Sequence, residues 1–588
     1  MSLLSQLGAI VGEAFEQAGL DRVYGEVVVS QRPELGQFQC NGALAGAKAA
    51  GRNPRDLAEE VAAAVKGRPE VAGVEVAGPG FINLTVDDEW LAAQVQASAA
   101  DRRLGVPKVA EPRHVLLDFS GPNVAKAMHV GHLRPSVIGD SLQRLFRFAG
   151  HRVTSDIHLG DWGTQMGMLI VELERRAPGL PYFDPDFGGP YPEEPPVTLD
   201  DLQMMYPEAS ERYAADPTWA ELARLATLEL QGGRPGYRAL WRHFREVSLA
   251  SQGRDLGRLG VHFDLWHGES TVHDRTAPMI DRLRRAGHAE ESSGALIVRV
   301  ALPEDKAEVP PLLLEKSDGA YMYATADLAT IEERVEDLGA DDILYVVDAR
   351  QSLHFEQVFR AAYLSGTAPP RVLLEHVACG TMNAPDGRPF RTRAGGVATL
   401  GDLIEDVEEA ALRRLDEADI ARGYQEDERR EIAAKVAMAA LKFGDLANHR
   451  TSDYLFDLDR FTSFEGRTGP YLLYGAVRIK SILRKAADRG LPGGAISAPT
   501  VPTERDLMLE LARLPEVIGR AIEYRAPNYL AEFAYELATR FNRFYDTCHI
   551  LREEDVARQA SWLALVEVTL RELELVLDLL GIEIPERM

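Results

Sequence analysis

The sequence predicts a multidomain α/β chain: a small α+β head over residues 1–108, a parallel-sheet centre over 109–455 and an all-α tail over 456–588. Three observations predict it. At roughly 150 residues per domain, a chain of 588 residues is too long for one hydrophobic core. Through the centre, short apolar runs alternate with helical segments, the pattern of a parallel sheet covered on both faces. After about Asp453, apolar residues recur only at helical spacing, and no convincing strand is expected.

The head opens on Leu3, Leu7, Ile10, Ala14 and Phe15, spaced as one face of an amphipathic helix. Asn53-Pro54 starts a second helix, because Asn caps and Pro tolerates the first helical position. Val71 to Val86 reads as strand, Gly78-Pro79-Gly80 turn, strand. In the centre the apolar runs are Val115 to Phe119, Val153 to Leu159, Ile343 to Val347 and Val372 to Leu374. A helix is expected from about His132 to Phe148. Pro181 to Pro196 reads as a surface excursion and Asp200 to Leu259 as helical, together an insertion at about 180–260. In the tail, Leu530, Phe533, Leu537, Phe541 and Phe544, and again Leu563, Val566, Leu570, Leu573, Leu577 and Leu580, step by three and four as faces of a helical bundle.

Acidic residues outnumber basic ones by 91 to 65, a net charge of −26. That excludes a uniformly basic nucleic-acid-binding surface. RNA would have to meet local basic faces, and the stretch from Arg467 to Met588 is close to neutral. Cys40, Cys379 and Cys548 lie far apart, without disulfide-type or zinc-type spacing. With no apolar run of ~18 residues and Glu13 interrupting the first apolar stretch, neither a membrane span nor a secretory signal is expected. The expectation is a cytoplasmic chain with isolated thiols.

His129-Val130-Gly131-His132 carries the sharpest chemistry. It follows an expected strand and stands at an expected helix start, where unpaired amides and partial positive charge suit phosphate. Gly131 lets a nucleotide approach the backbone, and two imidazoles can stabilise a phosphate that gains charge during displacement. A metal site is not expected, since no third ligand stands nearby.

The surroundings widen this reading. The run from Asp118 through Ser120-Gly121-Pro122-Asn123 and His129-Val130-Gly131-His132 to Arg134 resembles the first signature of the arginyl-tRNA synthetases, class I aminoacyl-tRNA synthetases of bacterial type. Ser317-Asp318-Gly319 and Tyr323 to Ala329 are similar to that family's amino-acid pocket, and Val346 to Phe355 to the strand and turn after it. Gly466 to Tyr471 and Leu579 to Met588 resemble the start and close of its anticodon-binding domain.

The resemblance implies a Rossmann-like catalytic domain, a head that binds the tRNA elbow and an anticodon-binding tail. It implies an arginine–tRNA ligase activity, with ATP as substrate carrying Mg²⁺, no zinc, arginine tRNA as partner, no membrane, and a monomer. Substrate arginine is expected at Asp118, Ser120, Gly121, Pro122, Asn123, His132, Tyr323, Asp327 and Gln351, with Asp327 on the guanidinium. A planar cation with five donors suits such carboxylates and amides, although Asp327 could instead cap a helix or pair with a structural arginine. ATP is expected at His129, Gly131, His132, Arg391, Thr392 and Arg393. Residues 386–396 replace the usual mobile lysine loop and lack both lysines; Arg391 and Arg393 are expected to offer charge instead, with an ordinary solvated loop as the alternative, and Lys126 is expected from its position to supply a compact ammonium.

On the RNA side, Phe81 and Asn83 are expected to stack on and hydrogen-bond a tRNA base, with a buried strand position as the alternative for Phe81. Arg478, Lys480, Asn542 and Tyr545 are expected at the anticodon, with a solvated basic helix face as the alternative for the charges. Arg134-Pro135-Ser136 departs from the family's more frequent Arg-Ser-Thr, which leaves the helix start open. A small-molecule nucleotidylyltransferase would share the histidine motif without needing the head or tail, and a catalytically silent RNA-binding relative would bind tRNA yet show no arginine-dependent ATP chemistry, against which the intact phosphate loop speaks.

Overall fold

Ser2 accepts a hydrogen bond from the Ser5 amide and starts the helix Leu3–Gln17, which buries Leu3, Leu7, Ile10, Ala14 and Phe15 as expected. Helix Pro54–Val65 also starts as expected: Asn53 accepts from the amides of Arg55 and Asp56, with Pro54 in first position. Four antiparallel strands, β1 (Val27–Val29), β2 (Phe38–Cys40), β3 (Val71–Ala77) and β4 (Phe81–Val86), pair in the order β1-β2-β4-β3. The strands β1 and β2 and the helix Gly42–Ala50 were not anticipated. Three residues are too few for a periodicity to show.

The computed structural model describes residues 2–588 apart from 33, 318, 320, 389 and 391–397. The chain divides into two compact units: Met1–Lys108 with Leu412–Phe443 and Thr462–Met588, and Val109–Ala411 with Gly444–Phe461. Head and tail therefore share one unit. Arg505 of the tail donates to Asp88 at 2.6 Å and to the carbonyl of Val86 at 2.9 Å, and Arg571 donates to the carbonyl of Asp101 at 2.7 Å. In the tail, helices Asn528–Thr547 and Val556–Leu579 bury the predicted stripes, except that Leu570 is only half-buried. Helix Val556–Leu579 is covered on nearly all sides, since Trp562, Leu565 and Val568 are buried too. Its less-buried face is narrow, running through Glu567, Arg571, Glu574 and Asp578.

In the second unit, β5 (His114–Phe119) is buried along its whole length. The strands β6 (Arg152–Asp156), β7 (Glu290–Ser292), β8 (Ala295–Val298), β9 (Leu312–Glu315), β10 (Asp342–Val346) and β11 (Leu373–His376) follow. The parallel sheet that the alternation predicted has the order β11-β10-β5-β6, and β7-β8-β9 form a separate antiparallel sheet that it did not predict. One correction concerns the segment after Asp453. The two-residue strand Tyr454–Leu455 (β13) pairs in parallel with Met382–Asn383 (β12), through bonds that no local pattern encodes.

The insertion is three helices, Leu199–Ala215, Pro217–Gln231 and Pro235–Arg258. The first is capped reciprocally by Thr198 and Asp201, and the second by Asp216. The preceding excursion is less superficial than expected. Tyr182 is buried, stacked on Tyr191 and edge-on to His243.

Candidate active site

At the carboxyl end of β5 the backbone enters a loop in which Ser120, Gly121 and Ala125 have φ of +77°, +50° and +66°; His158, after β6, has +37°. Left-handed backbone at non-glycine residues is strained and persists only where packing holds it. Here the amide of Val124 donates to the carbonyl of Gly160 at 3.0 Å, and that of Gly160 to the carbonyl of Pro122 at 3.2 Å. The Asn123 side chain lies over Gly160, where a Cβ would come 2.2 Å from Oδ1. Pro122, expected as an arginine ligand, is buried and gives its carbonyl to Gly160; it holds the loop rather than lining the cavity.

The two histidines flank a short 3₁₀ turn, Val130–His132, and helix Leu133–Ala149 begins immediately after. Pro135 thus falls in the first turn, where its missing N–H is harmless. His129 Nδ1 accepts from the amide of Gly131, and His132 Nδ1 from the amide of His129, each at 3.0 Å. An Nδ1 that accepts carries no proton, so in the neutral ring the proton sits on Nε2. Burial, followed by its neighbour His129, pushes His132 down to about 3. Burial, then Lys126 and Arg350, lowers His129 as well. The pair is neutral and offers two Nε2–H donors. Gly131 has a further reason beyond nucleotide approach: a Cβ there would meet the His129 ring at 2.8 Å.

Both rings line a cavity of about 720 Å³ together with Asp118, Ser120, Gly121 and Asn123. Helix Tyr323–Glu336 supplies Tyr323 and, one turn later, Asp327, and the turn after β10 supplies Gln351. Asp327 accepts a 2.6 Å hydrogen bond from His354 Nε2, which raises the imidazole's affinity for its proton. Glu269, which sequence reasoning missed, joins it. Burial pushes this carboxyl up to about 7; His158 opposes the shift, while Asp161 and Asp327 add to it. Nothing local marks Glu269, which opens the single 3₁₀ turn Glu269–Thr271, too short to show a periodicity.

Asp118 is committed elsewhere than expected. Arg334, buried, donates to Asp118 at 2.7 Å and to Asp156 at 2.8 Å. Asp118, Asp156 and His158 bring their ligand atoms within 4.8 Å of one another, and the Arg334 guanidinium already bridges the two carboxylates. Asp118 still lines the cavity, with its orientation set by Arg334. Arg350 is a second cation missed in the sequence; it lines the cavity while folded onto Asp348 by bonds of 2.9 and 2.6 Å.

Residues 94–458 match the family model described as class I tRNA synthetases (R), catalytic domain. Residues 5–86 match the arginyl tRNA synthetase N terminal domain, and 472–588 the DALR anticodon binding domain. The arginine–tRNA ligase of Maricaulis maris (strain MCS10) is 52% identical over 588 residues, covering 100% of both chains. This chain belongs to the arginyl-tRNA synthetase family. The arginine–tRNA ligase of Alkaliphilus oremlandii (strain OhILAs) is 47% identical over 587 residues, again covering 100% of both. The crystal structure of the Plasmodium falciparum arginyl-tRNA synthetase superposes with a TM-score of 0.83 at 25% identity, covering 100% of this chain and 99% of that one.

Of the family's expected loop, Arg391, Thr392 and Arg393 lie outside the described residues. Phe390, just before them, lines the cavity. Lys126 lies three residues before His129, with its ammonium 4.1 Å from the centroid of the Tyr206 ring.

On the expected RNA-binding surfaces the structure corrects two residues. Asn83 is buried, its Oδ1 accepting from Gln39 at 2.9 Å, so its amide serves the sheet rather than a base edge. Phe81 is half-buried. In the tail, Arg478 and Tyr545 line a cavity of about 460 Å³ with Tyr474, Arg484, Lys485 and Arg587, and Asn542 is hydrogen-bonded between Arg478 and Tyr471. Lys480 is not part of that group; its ammonium is paired with Glu574 and Glu586.

Proposed function

We propose that the cavity joins L-arginine to ATP and passes the arginyl group to the 3′-terminal ribose of an arginine tRNA, releasing pyrophosphate and AMP. One observation carries the reading. A neutral imidazole pair with Nε2–H donors and the carboxyls of Asp327 and Glu269 line the same cavity, a donor set for phosphate and an acceptor set for guanidinium.

In the first step the arginine carboxylate attacks the α-phosphorus in line, and the bond to the bridging oxygen breaks with its electrons leaving on pyrophosphate. No protein nucleophile is needed; positioning and charge stabilisation do the work. His129 and His132 donate to phosphate oxygens, and Lys126, Arg391 and Arg393 add positive charge to a nucleotide that arrives as its Mg²⁺ complex. Asp327 and Glu269, with Tyr323, hold the guanidinium, while Ser120, Asn123 and Gln351 face the α-amino and carboxylate groups. In the second step the ribose hydroxyl attacks the adenylate carbonyl carbon, AMP leaves, and the hydroxyl proton goes to the departing phosphate.

The centre, 109–455, carries this chemistry; the head, 1–108, reads the tRNA elbow through Phe81, and the tail, 456–588, reads the anticodon through Arg478 and Tyr545. The packing of head and tail into one unit supports their serving one RNA. We read the enzyme as a cytoplasmic monomer. The deciding experiment is ATP-dependent charging of total tRNA with each of the twenty amino acids: arginine alone should be attached, and charging with another amino acid, or none, would overturn the reading.

A further inference from the structure

We propose that Tyr206, on the helical insertion, is a positioning residue that aims the Lys126 ammonium at the phosphate site, giving the insertion a part in adenylation. The proposal rests on the role given to Lys126 above.

A lysine is a point charge on a stem with four rotatable bonds, so its usefulness in a transition state depends on what restrains it. The loop that carries Lys126 is gripped from the insertion at successive points. Gln252 donates to the carbonyl of Asn123 at 3.1 Å. Ser248 accepts from the amide of Ala125 at 2.8 Å while donating to the carbonyl of Phe244 at 2.6 Å. Both side chains are buried on helix Pro235–Arg258. The next residue, Lys126, lays its ammonium over the face of Tyr206 at 4.1 Å.

Tyr206 can act as a fixed stop because its own base is anchored. It packs against the cluster of Met168, Ala209, Trp219 and Ala223, formed by the insertion and the helix beneath it. An aromatic face attracts an ammonium without consuming its N–H donors, so Lys126 keeps them for phosphate oxygens. The cation is close enough to His129 to contribute, after burial, to lowering that imidazole. Tyr206 in turn adds, after burial and Glu269, to raising the Tyr323 phenol. Lys126 thus lies near the phosphate loop and Tyr206 near the amino-acid pocket. A tyrosine that merely filled space would be replaceable by any apolar side chain of similar bulk.

The test is ATP–pyrophosphate exchange by the full chain, with arginine and tRNA saturating and ATP varied. Tyr206→Phe keeps the ring and should stay within twofold of the parent. Tyr206→Leu should lose about fivefold in kcat/KM for ATP, the worth of a partly shielded cation–π contact, with KM for arginine within twofold. In a Lys126→Ala background, Tyr206→Leu should add less than twofold. Tyr206→Met serves as a second apolar variant if the leucine form melts early. Exchange by Tyr206→Leu within twofold of the parent, equal losses in the phenylalanine and leucine forms, or losses that multiply in the double variant would overturn the proposal. If Lys126→Ala alone exchanges at the parent rate, the role given to Lys126 fails; if it is slow while Tyr206→Leu is not, only the positioning fails.

Discussion

The backbone N–H of His129 donates to Nδ1 of His132 at 3.0 Å, so the second histidine is oriented by the first. With His129 Nδ1 accepting from Gly131, the chain assigns both tautomers by itself and leaves both Nε2–H groups to donate. Since burial holds His132 down at about 3, the pair acts at neutral pH as dipolar donors rather than as cations.

The first prediction follows from that tautomer. His132→Ala should lower kcat for adenylation by ~10²–10³, the scale of one lost transition-state donor. His132→Gln, whose amide nitrogen reaches toward the Nε2 position, should recover more activity than His132→Asn, whose amide mimics Nδ1. Pyrophosphate exchange measures both; equal rates for the two amides would refute the assigned geometry.

The second concerns pH. Burial raises Glu269 to about 7, so below that value the pocket presents a neutral acid to the guanidinium. In the free enzyme kcat/KM for arginine should fall by about tenfold per pH unit well below 7, and Glu269→Gln should abolish that limb while lowering the plateau. A carboxyl whose folded pKa is raised stabilises the fold below its unfolded pKa and loses that contribution as pH rises through the folded one. Arginine-free protein should therefore lose stability between about pH 4.5 and 7, the window in which arginine binding improves. A melting temperature of the Glu269→Gln variant that tracks the parent's across that range would count against it.

The third concerns Arg334, the shared partner of Asp118 and Asp156. Arg334→Met leaves the two buried carboxylates with only His158, 3.5 Å from Asp156, as a cationic neighbour and should cost about 3–5 kcal/mol, lowering the melting transition by roughly ten degrees. Arg334→Lys restores charge, but on a shorter stem and without the planar, pre-set donor geometry, and should recover only part. An unshifted melt in the methionine variant would mean the guanidinium is not what keeps the pair in place.

The fourth separates two basic residues of the tail. Lys480, paired with Glu574 and Glu586, should be replaceable by Ala with KM for tRNA within twofold. Lys485→Ala, from the cavity shared by Arg478 and Tyr545, should raise that KM several-fold, more so at low salt. Steady-state charging at two salt concentrations checks it, and a reversed order of effects would reject the assignment.

The parallel centre, the helical tail, the histidine turn and the Tyr323–Asp327 spacing could all be read from the chain alone. The alternation of apolar runs with helices and the helical stripes rest on spacing within a few positions, where helical or strand geometry dictates which side chains share a face, and Tyr323 and Asp327 are named by the resemblance. Tertiary packing decided the rest. Arg334 finds Asp118 across 216 positions and Asp156 across 178. Glu269 enters the cavity, Asn83 turns into its sheet, and Tyr454–Leu455 becomes a strand only because Met382–Asn383 lies beside it. A buried polar group must find a partner wherever the fold brings one near, and that partner is chosen by the packing of distant segments, which no local periodicity records.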